Sequence, residues 1–249
     1  MTKCDPVTAA CPAPDLGESQ SKLPVDSEPA AVSKPSGGWA VHYVGDPMCS
    51  WCWGISPTIA AVESFCETEG LEFSITLGGL RAGGGEPWNA AFKDFLRNEW
   101  QRIAQTTGQP FGFTLLEAPH FDYDTEPSCR AVATVKLIQA RDKLPSSLTL
   151  RFFSALQHKF YVEGQDPKRV DFYASLCADS PLRFEDFRVL FDSPEARRAV
   201  QQDFSRCRQW GVRSFPTLLL ERDGKTEPLA VGFVTTEQVL ARLRQEIAA

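Results

Sequence analysis

The 249 residues carry 26 Lys and Arg against 32 Asp and Glu, a net charge of −6, with 43% hydrophobic and 23% charged residues. At ~150 residues per domain this is one elaborated domain or two, enough to bury a core without disulfides. Mixed charge with no basic stripe disfavours nucleic acid, and no apolar run approaches the ~18 residues of a membrane span.

Residues 1–38 hold six of the 18 prolines, five serines and no aromatic residue. Such a segment buries too little apolar surface to offset the entropy of ordering, so a disordered arm is expected. Met1 to Ala10 has one lysine and no apolar stretch. It does not read as a signal peptide, and a cytoplasmic location is expected. At Trp39 the pattern changes. Trp39 to Val44 reads as a strand ended by Gly45-Asp46-Pro47. Pro57 to Glu69 reads as a helix, with Ile59, Val62 and Cys66 on one face and Gly70 as stop signal. Leu71 to Leu77 alternates as a strand does. Together these make a β-α-β unit of the kind that builds a parallel sheet.

From Trp88 to about Gln209 the periodicity is helical. One helix holds Phe92, Phe95, Leu96 and Ile103. A second starts near Asp124-Thr125, with Pro127 in its first turn, and a third carries Leu148, Phe152, Phe153 and Leu156. Short helices follow near Val170–Cys177 and Phe184–Leu190. The last of the block starts after Ser193, a good N-cap before Pro194 and Glu195. Phe215 to Leu220 then reads as a strand, Asp223-Gly224 as a hairpin turn, and Pro228 to Phe233 as the partner strand. Thr235 or Thr236 caps a closing helix. The expected division is an arm at 1–38, one α/β domain from 39–85 and 196–249, and a helical insertion at 86–195.

The stretch that carries chemistry is Asp46-Pro-Met-Cys49-Ser-Trp-Cys52-Trp-Gly54. A CxxC pair lies between a strand and the start of a helix, a spacing at which two sulfurs can close a disulfide. The first sulfur faces unpaired N–H groups and the positive end of the helix dipole. A thiolate there is expected to be stabilised, with a pKa of roughly 3.5–7.5, making Cys49 the nucleophile and Cys52 the resolving thiol. Zinc wants four ligands. No second CxxC is present and His42, His120 and His158 have no metal-binding spacing, so no metal is expected at the pair. A structural disulfide is disfavoured by the missing export signal. Ser214-Phe-Pro-Thr217 opens a late strand, where a proline is tolerated. Pro216 is either an ordinary strand-start proline or a cis proline packed on the CxxC pair.

With these residues in view, the chain resembles thioredoxin-fold oxidoreductases of the DsbA family, and more closely the branch of predicted protein-disulfide isomerases. The matching residues are Asp46 to Gly54, Pro57, Asp124 to Ala131, Phe160 to Gly164 and Gly211 to Thr217. The resemblance spans residues 39 to 247. It implies an α/β thioredoxin fold with a large inserted all-helical domain shaping a substrate groove. It also implies a cis bond before Pro216, and disulfide exchange through Cys49 and Cys52 on protein or small-thiol substrates. No cofactor is implied beyond the redox disulfide, with glutathione or a thioredoxin system as reductant. Ser50, Trp51, Phe215 and Pro216 are the expected substrate-binding residues. Trp51 is expected to be exposed, and bulky Phe215 to line the peptide-binding edge. Ser50-Trp51 departs from the Pro-His of the strong periplasmic oxidant, so that oxidising strength does not carry over. Two alternatives share features of the pattern. One is a kappa-class-like glutathione transferase or isomerase, which would have serine where Cys49 stands. The other is a metal-binding redox sensor using Cys4, Cys11 and the pair.

Cys66, Cys129, Cys177 and Cys207 fall on apolar helix faces and are expected to pack as small hydrophobes. The glycines around Arg81 lack the Lys-Ser/Thr of a phosphate loop, and a loop running close to the active site is expected there. Asp46 reads as a turn residue whose charge can raise the thiol pKa. Cys4 and Cys11 lie in the arm. The 28 residues from Cys11 to Trp39 span roughly 30 Å as a flexible chain, enough for exchange with Cys49.

Overall fold

The computed structural model describes residues 11–12 and 38–248, for the first two the backbone pairing alone. The rest of the expected arm lies outside the described residues. In chain order the elements are β1 (Cys11–Pro12), β2 (Trp39–Gly45), α1 (Ser50–Gly54), α2 (Ser56–Glu69), β3 (Glu72–Leu77), α3 (Ala90–Thr107), α4 (Thr114–Glu117), α5 (Glu126–Asp142) and α6 (Leu148–Tyr161). A 3-10 turn at Val170–Phe172 leads to α7 (Tyr173–Ala178), α8 (Phe184–Phe191), α9 (Pro194–Gln209), β4 (Ser214–Phe215), β5 (Thr217–Arg222), β6 (Lys225–Val231) and α10 (Thr236–Ala248).

Four strands form one sheet in the order β3-β2-β5-β6, with β3 parallel to β2 and the other pairs antiparallel. Central β2 is buried along almost its whole length, so its end delivers the chain into the interior at Asp46. The hairpin turn has positive φ at both Asp223 (52°) and Gly224 (77°), as a tight antiparallel connection requires. Ser193 Oγ accepts the Ala196 N–H at 3.2 Å. Thr235 and Gln238 cap α10 reciprocally, Thr235 Oγ1 accepting from Gln238 N and Gln238 Oε1 from Thr235 N.

Two expected elements differ. The strand foreseen from Phe215 to Leu220 is divided into β4 and β5 at Pro216, because proline supplies no ladder donor. The partner strand starts three residues earlier than Pro228, at Lys225. The four-residue α4 is too short to leave a periodic signal.

Two hydrophobic clusters hold the chain. The larger joins the sheet to α2 and to α5 through α10 and includes Cys49, Trp51 and Cys52. The smaller is aromatic, built around Trp100, Phe92, Phe160 and Tyr161, and takes in Met48 and Trp53 on either side of the thiol pair. No helix among the described residues is long and apolar enough to cross a membrane.

Candidate active site

Strand β2 ends in a turn closed by Cys49 N donating to Asp46 O at 3.0 Å. Cys49 is the N-cap of α1, so its sulfur sits at the helix start and Cys52 follows within the first turn. The two are thiols, not joined. Helix α1 stops at Gly54 and α2 resumes at Ser56. The break has a local cause: Pro57 has no N–H for the carbonyl of Trp53, four residues back. Gln109 Nε2 donates to that carbonyl at 3.2 Å and to Ser56 Oγ at 2.6 Å. Gln109 was not foreseen, since nothing near it in the sequence marks the contact.

The Phe215–Pro216 bond is cis. Cys49 Sγ donates to the Phe215 carbonyl at 3.5 Å, and the Pro216 carbonyl accepts from Gly232 N at 2.8 Å. This fixes the neighbouring Phe233 ring 5.8 Å from Trp51. The structure thus brings Cys49, Cys52, Trp51, Phe215 and Pro216 together. It does not place their side chains as expected. Trp51 is 2% exposed, covered by Phe233 and by the Arg102 guanidinium 5.0 Å above its ring. Ser50 is also buried, and Phe215 fully so. The Phe215 ring lies flush on Gly78, where a Cβ would come within 2.1 Å of it. Phe215 therefore offers its backbone, not its ring, to the edge beside the thiol.

Close to the pair lies a buried carboxylate, which the sequence read as a turn residue able to raise the thiol pKa. Asp46 is fully buried. Its carboxylate accepts from Met48 N and Leu80 N, each at 2.7 Å, and from Cys129 Sγ at 3.4 Å. Burial pushes its pKa up, and the two amides oppose that. The glycine loop after β3 does run to the site, through the Leu80 amide. Cys129 is buried as expected but also ligates Asp46, and burial pushes its thiol up. Tyr123 Oη donates to Met48 O at 2.9 Å. Tyr43 lies against Cys52, its hydroxyl raised by burial first and then by that thiol.

The expectation of a depressed Cys49 pKa is reversed. Cys49 is fully buried, and burial pushes its thiol well above the ordinary range, with Cys52 and then, as expected, the Asp46 carboxylate adding to the rise and the Cys52 amide opposing it. A helix start favours a thiolate, yet loss of water disfavours the charge more. Cys66, Cys177 and Cys207 are buried packing residues as read, and burial pushes each up to about 12. Among the described residues no cluster of His, Cys, Asp and Glu could hold a metal. Cavities of about 550 Å³ between β3 and α5, and 420 Å³ beside Trp39 and Arg242, lie away from the thiol pair.

Fold and site define a thioredoxin-type protein with a CxxC pair beside a cis proline. No family model matches the chain, and no curated protein matches it. Solved structures do. A candidate protein disulfide isomerase from Nitrosomonas europaea is 30% identical, with a TM-score of 0.73 over 85% of this chain and 98% of that one. The cytosolic disulfide reductase DsbM from Pseudomonas aeruginosa is 27% identical, with a TM-score of 0.66 over 84% and 98%. A 2-hydroxychromene-2-carboxylate isomerase, at 13% identity and a TM-score of 0.56 over 84% and 94%, shares the fold alone. The chain belongs to the DsbA family of thioredoxin-fold proteins.

Proposed function

We propose that this protein is a thiol–disulfide oxidoreductase that works as a reductase or isomerase on protein or small-thiol disulfides. The observation that carries the reading is the thiol of Cys49, at the start of α1, touching the Phe215 carbonyl next to the cis proline, with Cys52 three residues on. The Cys49 thiolate attacks a substrate disulfide, and one substrate sulfur leaves as a thiolate. Cys52 then attacks the Cys49 sulfur of the mixed disulfide and releases the second. The Cys49–Cys52 disulfide is reopened by two molecules of glutathione, which leave as glutathione disulfide, or by a thioredoxin system. No other cofactor is required. The backbone of Phe215 and Pro216 docks the substrate, while Ser50 and Trp51 hold the turn.

Two observations favour the reductive direction. A strong oxidant of this kind stabilises its reduced form, whereas burial here disfavours the Cys49 thiolate. The 27% identical DsbM is named a cytosolic disulfide reductase, and it has also been solved with glutathione. A cytoplasmic setting with glutathione as partner accords with both. In insulin reduction driven by glutathione, Cys49→Ser should lose turnover and Cys52→Ser should accumulate a mixed disulfide. The couple should equilibrate nearer about −270 mV than −120 mV. Full activity in Cys49→Ser would overturn the mechanism.

A further inference from the structure

We propose that the amino-terminal segment is an internal substrate of the site, and that Cys11 is a third redox cysteine forming a mixed disulfide with Cys49. This rests on the reading of Cys49 as the exchanging thiol. Strand β1 is Cys11–Pro12, and it pairs antiparallel with β4, Cys11 opposite Phe215 and Pro12 opposite Ser214. Strand β4 belongs to no other sheet among the described residues. Phe215 is also the residue whose carbonyl touches Cys49 Sγ. The register therefore sets a cysteine opposite the backbone position that the Cys49 sulfur contacts. Opposed Cα atoms in an antiparallel pair are about 4.5–5.5 Å apart, so Cys11 lies within one strand spacing of that position. A slip by one residue would bring Ala10 or Pro12 there instead.

An unpaired strand edge accepts an extended segment through its main chain, and here the occupant comes from the same chain. Pro12 has no N–H to give, so it cannot extend the ladder as an ordinary residue would. The pairing is short, which leaves it displaceable by an outside substrate.

The step starts from the Cys49–Cys52 disulfide. The Cys11 thiolate attacks Cys49 Sγ, the bond to Cys52 breaks, and the Cys52 thiolate leaves and takes a proton from solvent. One disulfide replaces another, with Cys11 oxidised and Cys52 reduced. Attack by Cys52, or by glutathione, reverses it. Until then the segment occupies the edge that a substrate would use.

The test is the full chain carrying Cys52→Ser and Cys4→Ser, treated with glutathione disulfide and mapped by mass spectrometry without reduction. Cys49 first takes up one glutathionyl group, and Cys11 then displaces glutathione. A peptide linking Cys11 to Cys49 is expected, and it should be lost when Cys11→Ser is added. Cys49 carrying glutathione with no link to Cys11 would overturn this inference and leave the site reading intact. Cys49 carrying neither would overturn both.

Discussion

At Cys49 two effects oppose each other. The amide of Cys52 lowers the thiol pKa, and removal from water raises it by more. With the proton held this way, iodoacetamide should modify Cys49 in the reduced protein ever faster as pH rises past 9. A rate that levels off near pH 7 would show that the helix start governs instead. The pair itself was legible, because a CxxC between a strand and a helix is a local pattern. Its surroundings were not. Asp46 meets Leu80 and Cys129, 34 and 83 residues away, and no spacing rule links such positions. Trp51 looked exposed because a residue on a turn usually is. Its cover, Arg102 and Phe233, comes from α3 and from beyond β6.

At the scale of elements, the placing of β4 depends on the loop after β3. Gly78 leaves room for the Phe215 ring, where any Cβ would collide with its tip. Gly78→Ala should therefore cost about 1–3 kcal/mol of stability through overpacking, and shift the Phe215 carbonyl away from Cys49. Urea unfolding should show a lower midpoint and the insulin assay a lower rate. An unchanged rate with unchanged stability would mean that Phe215 relocates freely. The longer helices and the sheet strands were readable from periodicity and from terminal signals such as Ser193, Gly70 and Asp223-Gly224. The start of α2 was readable as well, from Pro57, but the Gln109 contact that serves the Trp53 carbonyl Pro57 leaves free was not. Nor was the β1–β4 pairing, which joins residues some 200 positions apart and obeys no local pattern.

For the molecule as a whole, the β-α-β start, the helical block and the closing hairpin were enough to indicate the architecture, because each follows from alternation or helical spacing. Stability against pH is a different matter, and one side chain stands out. Glu63 on α2 is half-buried beside Glu67, and burial pushes its pKa up to about 7, against 4.5 for the free group. A carboxyl with a raised folded pKa stabilises when protonated. That contribution is full below pH 4.5, falls as pH rises to about 7, and is absent above. Glu63→Gln should therefore raise the melting temperature at pH 8 and change it little at pH 4.5. Equal shifts at both pH values would exclude the ionisation as the cause.

The thiol pair also lies where two separately packed bodies meet. Met48 and Trp53 belong to the aromatic cluster, and Cys49, Trp51 and Cys52 between them belong to the main core. Interiors packed at crystal-like density transmit displacement rather than absorb it. The CxxC turn is thus a joint between two solids, anchored in one at its ends and in the other at its middle. A void opened in the helical cluster around Trp100 would shift one side of the joint, and a void beneath the sheet the other. The relative position of the two sulfurs is in this sense a property of both cores, and side chains that never touch sulfur help to set it.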